Sequence, residues 1–223
     1  MTNDTPVYQR IRVQFGKGDP LKYISHLDLA RTWERVFRRA GLPVAHSQGF
    51  NPRPRFQIAA ALPVGVTGEG ELLDIWLSDP LSPEQVTERL RAAAPPGLGI
   101  GHAEEVELAT PSLQSQMQAA DYRAVVHSNE SVEGLRVRIQ EFLALPSLLR
   151  PRQHKGKWQT YDLRPLVQTL EVEAGEGQER VLSMRLQANA QGAGRPDEVL
   201  DALGLAPATR SIVRTNLCLE FDK

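Results

Sequence analysis

Near the start of the chain, Ile11, Val13 and Phe15 interleave with Arg10, Arg12 and Gln14. This period of two predicts a half-buried strand, broken by Gly16, Gly18 and Pro20. The period then lengthens. Leu29, Trp33, Val36, Phe37 and Ala40 share one helical face, Ser25 is placed as N-cap with Asp28 at the third helical position, and Gly41 closes the helix. A loop dense in Gly, Asn and Pro, HSQGFNPRPR, feeds the strand FQIAAALPVG, and the turn TGEGE leads to the strand ELLDIWL. Ser82 and Pro83 open a second helix that stops at Ala94, before Pro95 and Pro96. GLGIGHAEEVEL closes the set as a strand, with Glu104, Glu105 and Glu107 as an exposed acidic edge.

Residues 109–120, polar and rich in Gln and Ser, are expected to form a linker or an irregular crossing helix. The same order then recurs: strand DYRAVVHS, helix SVEGLRVRIQEFLAL, basic loop LLRPRQHKGKWQTYDLRP, strands LVQTLEVEA and RVLSMRLQA, short helix RPDEVLDALGL, strand SIVRTNLCLEF. The expected fold is α+β, with two tandem ferredoxin-like (βαββαβ) domains, residues 1–112 and 113–223, built on antiparallel sheets. In such a fold one sheet face packs on helices and the other stays open. The open face of the first strand would carry Arg10, Arg12 and Gln14, the kind of surface that reads single-stranded RNA.

Charge sharpens this picture. The 223 residues have a formal net charge of −1, but the signs are segregated. Arg10, Arg12, Lys17, Lys22, Arg31, Arg35, Arg38, Arg39, Arg53 and Arg55 meet only Asp19, Asp28 and Glu34 in the stretch 10–55. The stretch 69–107 is acidic, and a second basic stretch runs from Arg150 to Arg164. Segregation of this kind suits phosphate binding and equally suits solvated faces. The single cysteine, Cys218, cannot form an internal disulfide or hold a zinc ion or iron–sulfur cluster alone, and no metal site is expected from the dispersed histidines. The chain has no apolar run long enough to span a bilayer, and its first ten residues, MTNDTPVYQR, are polar, so a cytoplasmic protein without a membrane partner is expected.

Three segments are distinctive: KYISHLDLAR (Lys22 to Arg31), HSQGFNPRPRF (His46 to Phe56) and ALPVGVTGEGE (Ala61 to Glu71). Through them the chain resembles the radical-SAM-associated (radical-SAM-linked) proteins of unknown function, most strongly from Arg10 to Leu77 and weakly through KGKWQTYDLRP. The resemblance implies a partner, a radical-SAM enzyme that uses S-adenosylmethionine and an iron–sulfur cluster and often cobalamin. No cofactor is expected on this chain.

The expected function is a non-catalytic accessory or substrate-presenting protein for that enzyme, binding RNA in a basic inter-domain groove. Gly49, Asn51 and Pro52 form a tight turn that either presents Arg53, Arg55 and backbone N–H groups to an anion or merely connects helix to strand. His26, in the first helical turn, is either a neutral hydrogen-bonding group near a phosphate or a packed residue that fixes the loop. Arg150, Arg152, His154, Lys155, Lys157 and Trp158 combine cations with an aromatic plane for a base. Lys22, Arg31, His46, Arg164, Arg210 and Arg214 complete the expected RNA surface. Two alternatives compete. By fold order the chain is also similar to CRISPR repeat endoribonucleases, in which Tyr23, His26 and His46 would be the metal-independent acid and base groups. Otherwise the arginines dock onto a protein.

Overall fold

The computed structural model describes residues 7–48, 50–154 and 156–220. The N-terminal residues 1–6, Gly49 and Lys155, each used in the expectations above, lie outside the described residues. The chain divides into two compact units, residues 1–116 and 117–223.

In unit 1 the alternating residues form β1 (Gln9–Lys17), and the 3.6-residue stripe forms α1 (His26–Arg39). Ser25 caps α1 by accepting from the Asp28 N–H. There follow β2 (Phe56–Ile58), β3 (Thr67–Leu77), α2 (Pro83–Ala93), β4 (Leu98–Val106) and the short α3 (Leu113–Gln116). A capping box between Ser82 and Gln85 starts α2. All pairings are antiparallel: β1 lies between β3 and β4, and β2 pairs with β3. The order β2-β3-β1-β4 is that of a ferredoxin-like unit. The expected strand FQIAAALPVG is cut to three residues, because after Ile58 the chain turns away through a Pro-Val-Gly corner.

Ile11, Val13, Phe15, Leu73, Ile75 and Leu77 point to the helices and join Leu29, Trp33, Val36, Phe37, Val86 and Leu90 in one core. Trp33 sits edge-on to Phe15 at 5.1 Å and stacks on Phe37 at 5.5 Å, and Phe37 meets Phe56 of β2 edge-on at 5.3 Å. Each such large side chain contributes roughly 1.5–3 kcal/mol on burial. The aromatic chain fixes the short β2 against α1.

The opposite face of β1 is not open. Arg10 is 2% exposed and Asp74 0%. Asp74 accepts from the Arg10 Nε at 3.0 Å and from the Arg12 Nε at 3.0 Å. Arg10 also donates to the carbonyls of Thr110 and Pro111, in the segment leading to α3. The alternation set Arg10 and Arg12 on a polar face correctly, but that face is roofed by residues 110–116 of the same unit. Arg10 and Arg12 are therefore structural cations, not part of an exposed platform for RNA.

Unit 2 begins with β5 (Met117–His127), so the supposed linker ends earlier than its composition indicates. It continues through α4 (Val132–Ala144), β6 (Leu149–His154), β7 (Lys157–Asp162), β8 (Val167–Ala174), β9 (Glu179–Asn189), β10 (Gly192–Ala193), α5 (Pro196–Ala202) and β11 (Thr209–Leu219). β5 lies between β9 and β11, and β8 and β10 pair with β9. Leaving out β6, β7 and β10, the order β8-β9-β5-β11 repeats that of unit 1. β6 and β7 form a separate antiparallel hairpin where the sequence reads as a basic loop. Its turn is set by Gly156 at φ +77°.

Removing the Asp74 carboxylate leaves two guanidiniums uncompensated. Asp74→Ala is expected to lower the stability of the protein by about 3–5 kcal/mol, read as a shifted urea midpoint; a loss below about 1 kcal/mol, the scale of a surface pair, would contradict the buried network.

Candidate nucleic-acid interface

Hydrogen bonds draw the loop after α1 into a narrow neck. The Arg55 N–H donates to the Ala45 carbonyl at 2.7 Å, the Ser47 N–H to the Arg53 carbonyl at 2.8 Å, and the Arg53 N–H to the Ser47 hydroxyl at 3.1 Å. His46 bridges Pro54 across the neck. Beyond it Phe50, Asn51 and Arg53 are exposed, and the Phe50 ring has no cover at all. The loop thus presents an aromatic ring and a cation from one short segment.

Behind the loop lies a cleft of about 550 Å³. It runs between the start of α1 and β2 and is flanked by Ser112 and Gln114. His26, Arg55, Gln57 and Trp76 line it with the apolar Ala30, Phe56 and Ile58. The Arg55 guanidinium lies 4.9 Å from the Trp76 ring centroid, and that of Arg10 lies 5.1 Å from it. Two polar atoms here are buried without a hydrogen-bond partner: His26 Nδ1 and Gln57 Oε1. Such atoms carry a free-energy cost that a ligand or ordered water relieves.

The first turn of α1 is already satisfied. The Ser25 hydroxyl donates to the Asp28 carboxylate at 2.7 Å, and this bond, with that from Arg31, holds the Asp28 carboxyl below the ordinary aspartate range. With a carboxylate fixed at the helix start, a phosphate beside His26 meets like charge. His26 is better matched to a neutral hydrogen-bonding partner. Arg31 is turned to that same Asp28 at 3.1 Å and does not line the cleft. Lys22 is half-buried with its ammonium 5.9 Å from the exposed Tyr23 ring. Neither Tyr23 nor His46 lines the cleft that holds His26, so the acid–base trio is not gathered there.

The second basic cluster is on the β6–β7 hairpin of unit 2. Arg152, Lys157 and Trp158 are exposed, Trp158 at 72%; His154 is placed on β6 by its backbone register with Lys157. Arg150 is committed elsewhere: its Nε meets Glu198 at 3.2 Å and its guanidinium also binds Asp201, pinning β6 to α5. Arg164 donates to the carbonyls of Leu143 at 3.0 Å and Val167 at 2.8 Å, closing the end of α4. Arg214 is 2% exposed and Arg210 exposed, although both are on β11. Of the expected cations in unit 2, Arg150, Arg164 and Arg214 are thus parts of the scaffold.

Gln57 is the residue that sequence reasoning missed. The available signal was a lone amide in the apolar run FQIAA. Among the described residues no group of three or more His, Cys, Asp or Glu is placed to hold a metal ion. No helix among them is long and apolar enough to cross a membrane.

An α+β chain with a polar cleft lined by His26, Arg55 and Gln57 and with two aromatic–basic projections is the class that fold and site define. The chain belongs to the family described as "Uncharacterized protein conserved in bacteria (DUF2344)", whose model matches residues 10–196. No curated protein is significantly similar in sequence. Among solved structures it is similar to a chain of a Cbf5-Nop10-Gar1 complex, with a TM-score of 0.50 at 12% identity, over 94% of this chain and 49% of that one. It is also similar to a chain of an H/ACA RNP bound to a substrate RNA containing 2'-deoxyuridine, with a TM-score of 0.48 at 12% identity, over 93% and 47%. The chain spans about half the length of these proteins, and the likeness concerns the fold.

Asp162 anchors the hairpin by accepting from the Leu148 N–H at 2.7 Å and the Arg164 N–H at 3.1 Å, and the first of these bonds is the main reason its carboxyl lies below the ordinary 3.8. A depressed folded value means that the stabilisation is present above pH 3.8 and is lost as pH falls through the folded value. Asp162→Ala is expected to melt below the wild type at pH 7 and to converge with it in stronger acid. A gap that persists at pH values below the folded value would show that the carboxylate is not the anchor.

Proposed function

We propose that this chain is a non-catalytic accessory protein that holds single-stranded RNA for a radical-SAM enzyme. The observation that carries the RNA reading is the Phe50 ring, fully exposed on a loop whose other projecting groups are Asn51 and Arg53, with Arg55 at its base. An exposed aromatic ring beside cations suits stacking on a base with its phosphate alongside. Trp158 with Lys157 and Arg152 repeats the pairing in unit 2. The partner reading rests on the resemblance of SHLDL, SQGFNP and LPVG to radical-SAM-linked proteins. In that reading S-adenosylmethionine, the iron–sulfur cluster and cobalamin belong to the partner.

Cleavage by Tyr23, His26 and His46 receives no support from geometry, since general acid and base must meet at one point. A pure docking role predicts binding to a partner protein that excess RNA does not displace.

The double variant Arg53→Ala/Arg55→Ala is expected to bind a fluorescent single-stranded oligoribonucleotide roughly tenfold more weakly at moderate salt. The slope of log affinity against log salt should fall by roughly 1 to 1.5, as two phosphate contacts on a single strand require. An unchanged affinity and slope would remove this loop from the interface.

A further inference from the structure

We infer that the outer face of α1 docks an acidic helix of a partner protein. The inference rests on the accessory-protein reading and names the surface through which the chain meets its partner. Leu29, Trp33, Val36 and Phe37 turn one side of α1 to the core. Leu27, Arg31, Arg35 and Arg38 follow one another at steps of three or four residues on the opposite side, and all are exposed. This row runs for about 16 Å, with the exposed Arg39 beside it. Arg31 is held by Asp28 at 3.1 Å, whereas Arg35, Arg38 and Arg39 pair with no carboxylate among the described residues. Like charges one turn apart repel and weaken a helix. The helix dipole offsets this for Arg38 and Arg39, which lie in the last turn, but not for Arg35. Carboxylates at the same one-turn spacing on a facing helix relieve it along the whole row.

The apolar end of the row decides between protein and nucleic acid. Leu27 is 68% exposed and Val64 59% exposed. The Gly65 N–H donates to the Lys22 carbonyl at 3.0 Å, which ties the corner carrying Val64 to the segment that enters α1. Aliphatic side chains offer no plane on which a base can stack, and they gain by burial against other apolar side chains. Asp28 follows Leu27 and keeps its negative charge, because the Ser25 hydroxyl and Arg31 hold its carboxyl below the ordinary aspartate range. A phosphate chain laid along this face meets that charge. A protein helix avoids it by setting an apolar residue over Leu27 and carboxylates over Arg35 and Arg38. Arginine is also among the residues that carry most binding energy at protein interfaces. Phe50 and Arg53 belong to the loop after α1, so the RNA contacts proposed above are not drawn from this row.

The test places a photocrosslinking residue at position 27 of the full chain in its native cells and sequences the peptide attached to it. The expected peptide belongs to another protein and carries carboxylates three or four residues apart. Arg35→Glu/Arg38→Glu should lower the crosslink yield about tenfold, the scale of facing charge pairs lost, and changing two of the partner's carboxylates to arginine should restore it. Both substitutions are on the surface, so the variant should melt like the wild type. It should also bind a labelled all-uridine decamer as tightly as the wild type does. Decamer binding about tenfold weaker in the variant would overturn the docking assignment, leave the RNA reading standing and make α1 part of the RNA surface. A wild type that binds no decamer, with the charge swap still restoring the crosslink, would overturn the RNA reading alone. No protein crosslink, a crosslink to a second copy of this chain, a peptide without carboxylates at that spacing, or a yield unchanged by charge reversal would each overturn the docking assignment.

Discussion

Asp74 has no contact with water and holds two guanidiniums, and the rest of unit 1 is arranged to make that tolerable. One carboxylate between Arg10 and Arg12 leaves an excess positive charge in a place of low polarity, where an unmatched charge is expensive. The carbonyls of Thr110 and Pro111 and the face of Trp76 surround Arg10 and offset it. This is why the chain after β4 crosses the sheet instead of leaving it. Such networks add little net stability compared with an apolar core. What this one supplies is position: it fixes the segment that flanks the cleft and the Trp76 ring over which Arg55 rests.

The cleft depends on that arrangement from one side and on the aromatic core from the other. Phe15, Trp33, Phe37 and Phe56 form a continuous chain of ring contacts from β1 through α1 to β2. A strand of three residues has too few ladder bonds to hold itself, so Phe56 anchors it. Gln57 is then held where its amide oxygen has no protein partner, and the start of α1 brings His26 to the same cleft. The loop beyond the neck can project Phe50 and Arg53 because bonds among Ala45, Ser47, Arg53 and Arg55 hold its base together.

Much of the scaffold was legible in the sequence, for local reasons. Period-two alternation from Arg10 to Phe15, the helical stripe from Leu29 to Phe37, and Ser25 and Ser82 as caps all depend on neighbours within a few residues. The α+β class and the antiparallel pairings follow from them. The fate of the cations was not legible. Arg10 and Arg150 look alike in sequence to Arg53, yet their partners Asp74, Glu198 and Asp201 stand 64, 48 and 51 residues away. Charge runs report solvent exposure only where no distant carboxylate returns to them, and pattern alone cannot show that a polar sheet face is roofed. The hairpin β6–β7 escaped because its exposed faces carry no alternation of apolar and polar residues. Gln57 escaped because uncharged amides draw no attention unless their burial is known.

The measurement that bears most directly on this account is ultraviolet crosslinking of the full chain in its native cells, with the crosslinked peptides mapped by mass spectrometry and the attached RNA sequenced. Crosslinks are expected in the segments Tyr23–Arg31 and Phe50–Ile58, with single-stranded RNA attached. A radical-SAM enzyme recovered through those same segments, with no RNA attached, would contradict it and make the loop a protein-docking surface.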